Sequence, residues 1–250
     1  MERDLSSTDM NWHTRYTQQA GWTRELRSYI FEKINLQNAR NVLEVGCGTG
    51  AILSGLPQRT GIHGLDIDPV ALLECGTHAP WAMRVQGSAL ELPYADGIFD
   101  ILYSHYLLLW VRDPLQTLRE MKRVTKRGGY VIAFAEPDYY HRIDKPKELT
   151  PLGQWQTEAL RKQGADPGLG ARLATLFFQA DIQIIEAGEI QVQRNEPSVE
   201  DWAIEWDVIQ SDLHGQIPAQ EIQQMKELDK DSREKGERFL YVPTYFAWGE

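Results

Sequence analysis

The sequence predicts an α/β protein built on a mostly parallel sheet, and three observations predict it. From Asn41 onward, short branched-apolar runs alternate with longer amphipathic segments. The connections between them are short, which favours parallel strands joined by right-handed helical crossovers. A chain of 250 residues, 42% of them hydrophobic and 25% charged, is long enough for one large core with a helical addition.

Each element has its own signal. Ahead of the core, "RYTQQAGWTRELRSYIFEKI" predicts a helix, with Leu26, Ile30 and Ile34 recurring every fourth residue. "NVLEV", "GIHGLDI", "AMRVQG", "FDILYS" and "GGYVIAFAE" predict five buried strands. A helix is expected to start near Asp68, with Pro69 as its first residue. Another runs from Asp113 and Pro114 through "LQTLREMKRVTK", with Gly128 as its stop. "GARLATLFFQAD" predicts a further helix and "IQIIEAGEIQVQR" a further strand. Ser198 with Asp201 resembles a capping box. Behind it Val199, Trp202, Trp206, Ile209 and Leu213 make one apolar stripe. A charged helix, "AQEIQQMKELDKDSREKG", follows, and "RFLYVPTYFAWG" reads as the last strand. The two helices between the final strands either cover the sheet or roof a pocket.

Bulk properties exclude several classes. A net charge of −10 repels phosphate backbones and makes nucleic acid a poor partner. Two cysteines, Cys47 and Cys75, supply neither a disulfide framework nor a zinc spacing. "MERDLSSTDM" carries no signal-peptide core, and no apolar run is long enough to span a bilayer. A soluble cytoplasmic protein without a membrane span is expected.

The stretch "VLEVGCGTGAIL" carries the chemistry. A strand runs into glycines at 46, 48 and 50. Such a turn lets a backbone pass close to a ligand. Alone it is ambiguous, because Gly46, Gly48 and Ala51 also fit the dinucleotide fingerprint. Asp66, twenty residues after Gly46, suits ribose hydroxyls in either reading. Glu44 argues against a pyrophosphate, which its carboxylate would repel, and for a cationic ligand without phosphate.

The ordered set of "EVGCGTG", "GLDI", "GSALELPYADGIFDILYS" and "LREMKRVTKRGGYVIAFAE" resembles the class I S-adenosylmethionine (SAM)-dependent methyltransferases, in their small-molecule branch. The resemblance covers about residues 40–135 and, more loosely, "GLGARLATLFFQADIQIIEAGE" and "PTYFAWG". It implies a Rossmann-like seven-stranded sheet, mostly parallel, with an antiparallel last strand and helices on both faces. It implies SAM as cofactor and a small-molecule methyl acceptor as partner. It divides the chain into an N-terminal helical lid (1–40), a SAM-binding core (41–197), a helical insert (198–236) and a final strand (237–250).

Residue by residue, the resemblance implies that Glu44 supports the loop and the methionine amino group. Gly46, Cys47 and Gly48 let the cofactor pass the strand end. Asp66 binds the ribose and Ile67 packs on the adenine. Ser88 and Ala89 lie at the adenine edge, Leu90 over its face, and Ser104 near the methionine end. The branch commonly has aspartate where this chain has Ser88, so that hydrogen bond comes without charge. Tyr16 is expected to act as lid. Taken as residues alone, Cys47 reads as a small filler.

Methyl transfer is an in-line displacement on a sulfonium with a neutral leaving group, so no acid is needed and a base only for a protonated nucleophile. The segments after the fourth and fifth strands, "SHYLLLW" and "EPDYYHR", offer His105 and His141 as candidate bases and Tyr106 or Tyr139 as pocket wall. No acidic cluster suits a catechol-type metal site, and no metal is expected. Other readings remain open here. They are a protein or tRNA methyltransferase, which wants a basic groove, and a SAM-binding regulatory or assembly protein without turnover. Glu44 and the downstream motifs disfavour an NAD dehydrogenase.

Overall fold

The computed structural model describes residues 11–59, 61–190 and 198–250. Strand β1 (Val42–Val45) is buried along its whole length, as a parallel strand covered on both faces must be. It pairs in parallel with β2 (Ile62–Asp66) on one side and β4 (Phe99–Ser104) on the other. Beyond β2 lies the edge strand β3 (Met83–Gln86), and beyond β4 lies β5 (Thr125–Pro137), both parallel. Strand β9 (Thr244–Gly249) runs antiparallel between β5 and β7 (Ile184–Glu189). The sheet order is β3-β2-β1-β4-β5-β9-β7. This is the expected seven-stranded, mostly parallel sheet with an antiparallel last strand. Residues Gln191 to Arg194 of the predicted strand "IQIIEAGEIQVQR" lie outside the described residues.

Proline and aspartate set the helix starts as predicted. Helix α3 (Pro69–His78) begins with Asp68 accepting from the Val70 N–H, and α4 (Pro114–Val124) with Asp113 accepting from the Gln116 N–H. Helix α4 ends four residues earlier than Gly128. Pairing of Thr125 with Phe99 draws the chain into β5 first, and Gly128, at φ 77°, lies in the irregular start of that strand. The predicted N-terminal helix is two helices, α1 (Trp12–Trp22) and α2 (Arg24–Lys33), broken at Thr23. Ile30 and Ile34 of the predicted stripe are buried against the sheet.

Two other expectations are corrected. "RFLYVPTYFAWG" is not one strand. Pro243 separates β8 (Phe239–Tyr241) from β9, and β8 pairs instead with β6 (Ile143–Lys145) in a separate two-stranded sheet. A helix without a sequence prediction, α5 (Thr150–Lys162), precedes α6 (Leu173–Gln179).

Helices α7 (Val199–Leu213) and α8 (Ala219–Glu234) fill the predicted insert, and Ser198 caps α7 through the Asp201 N–H. Their apolar stripe does not pack on the sheet. Trp206, Ile209 and Leu213 join Leu149, Leu152, Ala159 and Ile222 in a third core, apart from the two that flank the sheet. Val199, at the head of the stripe, is 85% exposed. Asp229 is the centre of this cap. It accepts from Trp202 Nε1 at 2.6 Å, Trp206 Nε1 at 3.0 Å and Arg233 Nε at 3.0 Å, and pairs with Arg238. Arg238 also pairs with Asp144 of β6, so buried charges tie the small sheet to α8. Burial raises the Asp229 pKa, and the indole and guanidinium bonds outweigh it, leaving a net lowering. No described helix is long and apolar enough to cross a membrane.

Candidate functional site

The strand order reverses between β1 and β4, and an open α/β sheet binds ligands in the crevice at such a point, outside the carboxyl ends of its strands. The glycine loop leaves β1 into this crevice. It leads to a short turn of 3₁₀ helix, Leu53–Gly55, rather than to the α-helix such loops usually open. Gly46 and Gly48 hold φ of 74° and 49°. A Cβ at Gly46 would meet Leu107 Cδ1 at 2.7 Å, and one at Gly48 the Tyr16 ring at 3.2 Å. Leu107, from the segment after β4, and Tyr16, from α1, therefore both lie on the loop. His13 Nδ1, 2.8 Å from Thr49 Oγ1, fixes α1 there.

Asp66 ends β2 beside the loop. Its Oδ2 accepts from the Gly48 N–H at 2.7 Å and its Oδ1 from the Asp68 N–H at 3.0 Å. Burial raises its pKa, and these backbone bonds oppose the rise. Ile67 beside it is 64% exposed, unusual for so apolar a side chain. The Gln86 side-chain amide reaches the Ile67 carbonyl at 3.3 Å and joins the loops after β2 and β3. Ser88, Ala89 and Leu90 on the latter are half-buried, with Ser88 Oγ accepting from the Leu90 N–H. On the other flank of β1, Ser104 ends β4. It is wholly buried, and its Oγ has no hydrogen-bond partner.

Glu44 is buried at 3% exposure, and its Oε2 accepts from the Tyr103 hydroxyl at 3.1 Å. Burial holds its pKa well above the usual carboxylate range, against the Tyr103 bond and the Arg27 charge. The loop amide of Gly48 bonds to Asp66, not to Glu44. Cys47 fills the space over Gly64, where a Cβ would stand 2.8 Å from its Sγ. The Cys75 thiol and burial push its own pKa up.

The two candidate bases stand apart. His105 is half-buried with Nε2 2.9 Å from Thr23 Oγ1. Burial of the ring, with the Arg27 charge, pushes its pKa down to about 3, which makes it a weak proton acceptor. His141 is an exposed side chain with Nδ1 2.6 Å from the buried Asp138 carboxylate. It does not line the cavity that opens beyond β4 and β5. That cavity encloses about 40 Å³, and its walls include Arg15, Trp22, Tyr106, Tyr139, Arg142 and Glu205. Tyr106 and Tyr139, offered by the sequence as alternatives, both line this cavity. Trp206 is not, and the residue α7 presents to the cavity is Glu205.

Sequence reasoning missed Arg15, Arg142 and Glu136. Glu136 is wholly buried at the end of β5 and accepts from the N–H groups of Leu107, Leu108 and Leu109. Burial pushes its pKa up to about 8, against those three bonds. It thereby fixes the segment in which Tyr106 holds a strained φ of 51°. An acid closing the apolar run "VIAFAE" was the available signal. Elsewhere, His13, Glu74 and His78 bring ligating atoms within 4.8 Å of one another, with the two imidazoles stacked 3.4 Å apart and 4° from parallel.

Residues 43–133 match the family described as Methyltransferase domain. Malonyl-(acyl-carrier protein) O-methyltransferase of Halorhodospira halophila is 32% identical over 138 residues, covering 52% of this chain and 47% of that protein. Demethylmenaquinone methyltransferase of Halalkalibacterium halodurans is 35% identical over 116 residues, covering 42% and 47%. The chain thus spans about half the length of the curated relatives it matches. A solved structure described as a putative sarcosine dimethylglycine methyltransferase from Galdieria sulphuraria superimposes with a TM-score of 0.57 at 16% identity, over 90% of this chain and 83% of that one. The (4+2)-cyclase SpnF gives the same TM-score at 18% identity, over 90% and 80%. At these identities the two structures speak for the fold alone.

Proposed function

From the premise that this chain carries a class I SAM-dependent methyltransferase domain, we propose that it transfers a methyl group to a small, partly apolar acceptor. The observation that carries this reading is the pair flanking the glycine loop. Asp66 stands on one side, and on the other is Ser104, whose buried Oγ has no partner. A buried hydroxyl without a bond costs about 1–3 kcal/mol, and a polar cofactor end at this place supplies one. The exposed Ile67 fits the group as well, because an adenine face would cover it.

S-adenosylmethionine, when bound, supplies a methyl on a sulfonium with a neutral thioether as leaving group. The chain's part is to bind and to align. Asp66 accepts hydrogen bonds from the ribose hydroxyls. Ile67, Ala89 and Leu90 enclose the adenine, and Ser88 Oγ bonds its edge. Gly46, Cys47 and Gly48 let the methionine end pass toward Ser104. Glu44, buried beneath the loop and bonded to Tyr103, supports that end from below, and Tyr16 closes over it. Tyr106 and Tyr139 shape the acceptor side. The low pKa of His105 leaves it a positioning part through Thr23, and His141 stands outside the cavity wall, so the acceptor supplies its own nucleophile in reactive form.

Calorimetry with SAM, S-adenosylhomocysteine and NAD tests the cofactor, and turnover of labelled SAM tests the transfer. SAM and its product should bind and NAD should not. Asp66→Ala should cost roughly 1.5–3 kcal/mol of SAM affinity. NAD binding tighter than SAM overturns the proposal. The cluster of His13, Glu74 and His78 is a poor metal site, since stacked imidazoles direct their in-plane lone pairs side by side and not at one ion. Chelation by EDTA should leave turnover unchanged.

A further inference from the structure

The cavity wall holds a buried cation with no ion-pair partner among the described residues. Arg15 is 8% exposed. One of its nitrogens, Nη1, donates to Gln18 Oε1, a neutral acceptor, and the guanidinium lies 4.9 Å from the Trp22 ring centroid. Among the described residues no carboxylate oxygen comes within 4.0 Å of it. The other arginine on the wall is the contrast. Arg142 holds Asp144 through two bonds, at 2.7 Å and 3.1 Å, and Gln156 through a third. Arginine cannot shed its proton. Burying its charge costs several kcal/mol unless an opposite charge faces it, and a ring face returns only about 0.5–2 kcal/mol of that.

We propose that Arg15 is the subsite for one carboxylate of the methyl acceptor, whose apolar or aromatic body lies against Trp22, Tyr106 and Tyr139. This rests on the methyltransferase reading above and names the acceptor's class within it. The planar fork of the guanidinium matches a carboxylate with two parallel bonds. The carboxylate is an anchor and not the methylated group, because pairing with the guanidinium draws electron density from the oxygens and makes them poor nucleophiles. Glu205, on the same wall and beyond ion-pair reach of Arg15, repels a second acid. The acceptor therefore carries a single negative charge at this end.

Binding of matched probes tests this with S-adenosylhomocysteine held at saturation. Phenylacetate and indole-3-acetate are compared by calorimetry with phenylacetamide and indole-3-acetamide. The acids should bind roughly tenfold or more tightly than the amides, the yield of one charge-assisted pair. Arg15→Gln should abolish that preference while S-adenosylhomocysteine affinity stays as in the wild type. Arg15→Lys, which keeps the charge, should keep the sign of the preference, as should Glu205→Gln. Equal affinity for acids and amides, a preference that survives Arg15→Gln, or no binding of either acid overturns the proposal. Failure of S-adenosylhomocysteine itself to bind overturns the methyltransferase reading beneath it, so the two failures are told apart.

Discussion

His105 and Glu136, two titratable side chains that the fold buries next to the cavity, tilt stability with pH in opposite directions. In the unfolded chain His105 takes up a proton below 6.5, whereas in the fold it does not until about 3. Its contribution is complete above the unfolded value and is lost as pH falls toward the folded one. His105→Gln has no proton to gain, so its melting temperature should fall less between about pH 7 and pH 5 than the wild type's. Identical slopes would show that the ring is not held neutral by burial. Glu136 works the other way. The fold keeps it protonated up to about 8 against 4.5 when unfolded, so its contribution is present below the lower value and lost as pH rises through the higher. Glu136→Gln should flatten the alkaline limb and loosen the segment from Leu107 to Leu109. At this scale the sequence was readable where a motif is contiguous. Gly46, Gly48, Asp66 and Ser104 all stand at strand ends as their runs predict. It was silent on Arg15, which has no ion-pair partner among the described residues and stands in a cavity lined by six segments of the chain.

Helix α7 shows what periodicity settles and what it leaves open. The spacing of Trp202, Trp206, Ile209 and Leu213 identified the buried face, but not the surface it faces. That surface is α5, whose start is obscured by Pro151 and Gly153 in the sequence. Trp206 is 1% exposed and bonded to Asp229. Trp206→Ala should therefore cost on the order of 3–5 kcal/mol, the value for a buried aromatic, and lower the melting temperature. SAM affinity and acceptor selection should hold wherever the variant is folded. Broadened acceptor use without loss of stability would instead make Trp206 a roof residue. Asp229→Ala should be as severe, since it leaves the buried Arg238 to share Asp144 with Arg142 and removes the acceptor of two indoles. The split of the final predicted strand has an equally local cause. Pro243 cannot donate to a ladder, and the chain changes sheets there.

For the whole molecule, the parallel half of the sheet was legible because each strand, crossover and return is local in sequence. The joining of lid, core and cap was not, because it depends on single side chains far apart in the chain. Gln18 of α1 donates to the carbonyl and the carboxylate of Asp201 in α7, at 2.9 Å and 3.0 Å. With Tyr16 on Gly48, Leu107 on Gly46 and a cavity of only about 40 Å³, the three parts are closed upon one another. A ligand larger than a few waters enters such a site only if one of the segments around it moves, and α1 is the candidate. Helix α1 has little to hold it. Of the residues of α1, only Arg15 and Ala20 are buried, whereas β1 is buried throughout. Its amides should therefore exchange with deuterium well before those of β1, β4 and β5, and S-adenosylhomocysteine should slow them selectively. Gln18→Ala removes the side-chain bonds that join α1 to α7. It should raise the association rate of SAM in stopped-flow measurements and change the equilibrium affinity much less. Exchange in α1 that is as slow as in the sheet, or an association rate indifferent to Gln18, would mean that ligands reach the crevice by another route. The segment after β4, whose Leu107–Leu109 amides all bond to Glu136, would then be the element that opens.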